Sequence, residues 1–153
     1  MGGACFAWPW WILLLPLAYL AHLAEEWWGG EGVAAWTARA LGREISLDRF
    51  LILNAVAAPL AVGLTVVARR RPALAGFPVL FATVVVVNAG LHLLGSLATA
   101  SYSPGLLTGL ALYLPVGGAV LAAGVERLPA PRYARAVAAG LVIHLLVALV
   151  AFA

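Results

Sequence analysis

Charge is scarce in this sequence. Of its 153 residues only 10 % are Asp, Glu, Lys or Arg, against 65 % hydrophobic, and the mean hydropathy is +1.04. A water-soluble domain of this length has nowhere to bury so much apolar surface, so that class is excluded and an integral membrane protein is expected, its first partner the lipid bilayer. No nucleic-acid partner is expected. Cysteine occurs once, as Cys5, which rules out an internal disulfide. Lysine is absent and every basic residue is arginine. With the excess of Ala, Gly, Leu and Val, this composition is the one expected of a high-GC bacterial coding sequence. The start of the chain lacks the basic n-region and well-placed cleavage site of a signal peptide. Phe6 stands where a myristoylation signal needs Ser or Thr. The first apolar segment, from Trp8 onward, is therefore read as a retained membrane helix.

What the sequence does have is long apolar runs. Five can be drawn, approximately Trp8–Trp27, Phe50–Ala68, Leu74–Ala98, Gly105–Val125 and Arg135–Ala153, each near the roughly 20 residues that cross a bilayer. Backbone polar groups in hydrocarbon must be satisfied within the segment, so these runs predict helices. The expected fold is all-α: a single polytopic domain, residues 1–153, of about five transmembrane helices. The longest connection, Gly29–Arg49, carries more charged residues than any other, Glu31, Arg39, Arg43, Glu44, Asp48 and Arg49, and Val33–Leu41 within it has the pattern of a short amphipathic helix lying on the membrane surface. No internal repeat or low-complexity tract is visible.

The arginines divide by side. Arg69, Arg70, Arg71, Arg127, Arg132 and Arg135 fall at one end of the spans; Arg39, Arg43 and Arg49 fall at the other. The positive-inside rule then predicts a multi-pass cell-membrane protein with a cytoplasmic N-terminus, and with the long loop and C-terminus outside. Trp8, Trp10 and Trp11 at one end of the first span, and Trp27 and Trp28 at the other, fit interfacial belts.

Only six residues are acidic, and two of them, Glu25 and Glu26, follow His22 near the end of the first span. A charge at bilayer depth costs about 2.5–3.5 kcal/mol even on the lenient insertion scale, so such residues are read as functional by default. The structural alternative ends the first span at the headgroups, with the glutamates paired to Arg39 or Arg49. Counting about 1.5 Å of rise per residue puts His22, His92 and His144 at one approximate depth in one leaflet. Asn54, Asn88, Glu25 and Glu26 share that level. Asn88 and His92 sit at i, i+4 with small residues between, and Gly90 and Gly95 would let a helix or ligand approach closely. Gly105-x-x-x-Gly109 reads as ordinary helix packing. His22, Glu25, Glu26, Asn88 and His92 are expected to line one cavity open toward the long loop.

This set resembles a family of small bacterial membrane proteins named for an H-x-x-E-E motif. The resemblance rests on His22, Glu25 and Glu26, on Asn54, on Asn88-x-x-x-His92 and on the Tyr102-Ser103-Pro104-Gly105 turn, and it runs to about the fourth span. It implies that these residues form one site and supplies no reaction.

Three chemistries fit the residue types. Imidazole and carboxylate suit zinc or non-haem iron, with His22, Glu25, Glu26, His92 and His144 as candidate ligands and a glutamate as base on a metal-bound water. The single motif lacks the second histidine of a zincin. Without metal, His22, Glu25, Glu26 and His92 could run acid–base catalysis on an apolar lipid or terpenoid-like substrate, with Asn54, Asn88 and Tyr102 as ligand contacts. The third reading is not an enzyme: a metal, proton or ligand binding or transport protein, or an accessory subunit, in which case five spans favour a homo-oligomer. A bis-histidine haem on His92 and His144 lacks any supporting signature.

Overall fold

The computed structural model describes residues 7–153; Cys5 and Phe6, and with them the disulfide and lipidation readings, lie outside these. Six helices account for the fold, and no strand occurs among the described residues. A 3-10 turn, Trp10–Leu13, runs into α1 (Leu14–Trp28). Then come α2 (Val33–Leu41), α3 (Leu47–Ala68) and α4 (Phe77–Thr99). A continuous helix α5 (Leu106–Arg127) and α6 (Ala130–Phe152) complete the chain.

Four helices, α3 to α6, are long and apolar enough to cross a membrane, α4 together with the short turn before it. The chain is a multi-pass membrane protein. The first predicted span differs from them: α1 is 15 residues long. Its 3-10 lead-in rises faster per residue, and the two together reach about 30 Å, the thickness of the hydrocarbon core. Pro16 sits in the first turn of α1, where a missing N–H costs nothing.

The fold is built around α4. Its buried residues include Val79, Phe81, Ala82, Thr83, Val85, Ala89 and His92. Small residues let its neighbours close on it. A Cβ on Gly117 of α5 would stand 2.7 Å from Val86, and one on Gly140 of α6 would stand 2.6 Å from the Leu80 carbonyl oxygen. Contact this close takes the place of the hydrophobic effect, which is weak between helices already in lipid. Gly76 faces the Ala136 methyl as Gly140 faces Leu80 and Thr83, so α4 and α6 run parallel in register.

The centre of α5, Gly109–Gly117, is a π-helix with Pro115 inside it. Proline offers no N–H and crowds the carbonyl four residues before it, and the wider winding relieves both.

At the arginine-rich end, Trp8 is buried rather than set in an interfacial belt, and its indole donates to the Ala75 carbonyl at 3.0 Å. The Arg127 guanidinium lies 5.7 Å over that ring, and Arg132 donates to the carbonyls of Pro72 and Ala73. Trp10 and Trp28 are the strongly exposed tryptophans, at 68 % and 76 %.

At the opposite end α2 forms as its amphipathic pattern predicts, and it folds over the end of α4. Trp36 is buried and donates to Ser101 Oγ at 3.1 Å. Its ring fills the space that Gly95 leaves, whereas nothing lies within 4 Å of where a Gly90 Cβ would be.

Candidate functional site

The H-x-x-E-E segment is the last turns of α1. At 100° per residue, Glu25 and Glu26 flank the His22 direction on opposite sides, about 100° apart, so one helix cannot send both to the same neighbour. Glu26 turns toward α4 and Glu25 toward the start of α5.

Glu26 meets two histidines. Its Oε1 is 3.5 Å from His22 Nε2 and 3.3 Å from His92 Nε2. One ligand atom from each of the three residues lies within 4.8 Å of the others. The cluster is closed off: His22 is 1 % exposed and His92 9 %. His22 Nε2 is buried and makes no hydrogen bond.

The outer edge of each ring is held by a hydroxyl. His22 Nδ1 is 2.8 Å from Thr108 Oγ1, and His92 Nδ1 is 2.9 Å from Ser103 Oγ. Tyr113 stacks on His22 with centroids 4.2 Å apart, and the two imidazoles meet edge to face at 5.0 Å. Gly105 forms the roof. A Cβ there would stand 2.7 Å from His92 Cε1 and 2.8 Å from His22 Cε1, and its φ of +104° is one that L side chains rarely adopt.

Glu25 reaches the first turn of α5. Its carboxylate accepts from the Leu107 amide at 2.9 Å and the Thr108 amide at 2.6 Å, and from the hydroxyls of Thr108 and Tyr102. The first amides of a helix have no partner within it, and here a carboxylate from another helix supplies one at the positive end of the dipole. Burial pushes the Tyr102 phenol up to about 12, and the hydrogen bond to Glu25 adds to the effect.

The remaining candidates fall outside the cluster. Asn54 Oδ1 accepts from Tyr19 at 2.6 Å and its Nδ2 donates to the Phe50 carbonyl, tying α3 to α1. Asn88 lies one turn from His92 with a buried Oδ1 that has no partner. His144 is half-buried, its Nε2 also without a partner. The α4–α6 register sets Gly140 beside Leu80 and Thr83, which puts His144 about 8–12 Å deeper than His92. The common depth assigned to all three histidines therefore holds for His22 and His92 and not for His144. Counting from helix ends fails there because α6 stops short of the level that α4 reaches. Neither Arg39 nor Arg49 takes up the pair of glutamates: Arg39 is bonded to Glu31 at 2.9 Å.

Sequence reasoning missed Thr108, Tyr113 and the separate role of Ser103. Ser103 stood inside the Tyr102–Gly105 turn already singled out. Thr108 and Tyr113 look like ordinary helix residues and carried no signal.

No curated protein and no solved structure matches this chain. The sequence model of a family described as proteins of unknown function with an HXXEE motif matches residues 13–120; this stretch holds every residue of the His22, Glu26 and His92 cluster and its supports and ends before His144, and the chain belongs to that family.

Proposed function

We propose that the chain is a metal-dependent membrane enzyme whose centre is a divalent transition-metal ion, Zn(II) or Fe(II), held by His22 Nε2, His92 Nε2 and a Glu26 carboxylate oxygen. One observation carries this reading: the spacing of Glu26 Oε1 from the two histidine nitrogens, all three ligand atoms lying within 4.8 Å of one another. Bonds of about 2.0–2.1 Å at tetrahedral angles set ligand atoms about 3.3–3.4 Å apart. Glu26 Oε1 stands 3.3 Å and 3.5 Å from the two nitrogens. A hydroxyl holds the far nitrogen of each ring, in the place that a carboxylate, a backbone carbonyl or a water takes behind a ligating histidine.

Three protein ligands leave a position open, the pattern of catalytic rather than structural zinc. A water there would be acidified by the metal, and an apolar, lipid-like molecule is the substrate class that reaches such a centre from the bilayer. The excess of arginine at the far end favours placing the centre toward the outer leaflet.

Metal analysis of detergent-purified protein tests the proposal. The expected result is about one metal per chain, lost in His22→Ala, His92→Ala and Glu26→Gln. Wild type free of metal after growth in supplemented medium, and unable to bind added Zn(II) or Fe(II), would overturn it and leave the metal-free His/Glu acid–base reading.

A further inference from the structure

We infer that Glu25 is a positioning residue: acting through Thr108, it locks His22 as the tautomer protonated on Nδ1, and so turns the bare Nε2 lone pair toward Glu26. Only the consequence for metal affinity rests on the function proposed above; the tautomer itself does not.

The Glu25 carboxylate collects four donors: two backbone amides, the Tyr102 hydroxyl and the Thr108 hydroxyl. An ionised carboxylate only accepts, and a threonine hydroxyl has one proton to give. Thr108 gives it to Glu25. The Thr108 oxygen still lies 2.8 Å from His22 Nδ1, so that contact is a hydrogen bond only if Nδ1 is the donor. A neutral imidazole has one N–H, and Nε2 is then a bare acceptor.

The opposite tautomer fares worse. It would put a proton between Nε2 and Glu26, where the atoms are 3.5 Å apart, a poor hydrogen-bond length. It would also leave two acceptors facing each other at 2.8 Å. The shorter contact has the stronger claim on the proton. This accounts for the buried His22 Nε2 without a partner: it is an acceptor aimed at another acceptor, an arrangement that a cation completes.

His92 is the internal contrast. Its Nδ1 meets Ser103 Oγ at 2.9 Å, and among the described residues no carboxylate fixes the direction of that hydroxyl. Ser103 can give or accept, so this hydroxyl does not lock the His92 tautomer. The two glutamates of the motif thus have separate tasks, Glu26 beside the histidine nitrogens and Glu25 behind them.

The test uses protein labelled with 15N-histidine in lipid bilayers, stripped of metal with chelator at neutral pH. His22 resonances are identified by their absence from His22→Ala. Wild type is expected to show the His22 proton on Nδ1. Thr108→Val is expected to release it to a mixture of tautomers, and Thr108→Ser to restore it. Zn(II) affinity is expected to fall about 10- to 100-fold in Thr108→Val and to return in Thr108→Ser. A wild-type proton on Nε2, or a Thr108→Val protein with unchanged His22 signals, would overturn the inference. A correct tautomer in a protein that binds no metal would overturn the proposed function and leave the inference standing.

Discussion

A single methyl group added at Gly105 would collide with both imidazoles and would have to adopt a φ of +104°. Backbone strain of this kind costs about 1–3 kcal/mol, and the collision adds to it. Gly105→Ala is therefore expected to lower the melting temperature in detergent and to reduce bound metal together. Gly63→Ala is the control: nothing lies within 4 Å of that Cβ, and a mid-helix glycine replaced by alanine gains about 0.5–1 kcal/mol. The pairing of His22 with His92 was legible from the sequence, because two scarce polar residues at one counted depth, on the first and third spans, have few other partners. Which glutamate joins them was not. Glu25 and Glu26 differ by one helical step, and only the positions of α4 and α5 decide which faces the histidines. Thr108 was invisible for a plainer reason: a hydroxyl in an apolar helix costs little and so stands out little. Tyr102 offers a check from the outside. Its phenol is raised to about 12, so its contribution to stability is whole below about 10, its ordinary value, and is lost as pH rises through about 12. A wild-type melting curve followed into that range should lose stability that Tyr102→Phe does not have to lose.

At the scale of elements, α4 decides the packing and α2 the coverage of the site end. Substituting valine at Gly140 should drive α6 off α4, since a Cβ there would stand 2.6 Å from a backbone oxygen that cannot move aside. Overpacking of this kind costs about 1–3 kcal/mol, readable as a lower melting temperature. The α2 helix is held by Trp36 against Gly95 and by the Glu31–Arg39 pair. The Arg39 hydrogen bond lowers the pKa of Glu31, so the pair's contribution is present above the usual carboxylate range and disappears as acid protonates Glu31 in the folded protein. Amide protection in α2, corrected for the intrinsic pH dependence of exchange, should fall on acidification below that range. The effect should be small and weakened by salt, because the pair is exposed, and Glu31→Gln should remove it. Helix existence was readable from apolar runs, and α2 from its one-sided pattern. The π winding of Gly109–Gly117 was not, because Pro115 alone says that something must give without saying how.

Over the whole molecule six of the nine arginines and the site occupy opposite ends. Six arginines, three of them at the α3–α4 turn, mark one end; the histidine cluster, α2 and the Tyr102 turn mark the other. With Cys5 replaced by serine, a cysteine in place of Arg43 should react with an impermeant reagent on intact cells. One in place of Arg70 should react only after permeabilisation. The reverse pattern would turn the assigned orientation over. The hydrogen bonds that Thr108 makes with Glu25 and His22 join positions 83 and 86 residues apart. That spacing has a meaning in time. While the chain is being made, α1 enters the membrane carrying a histidine and two carboxylates whose partners have not yet been synthesised. Its polar end must stay hydrated until the start of α5 emerges and takes hold of Glu25. The completion of the site is then a late event in biogenesis, set by the arrival of residue 108.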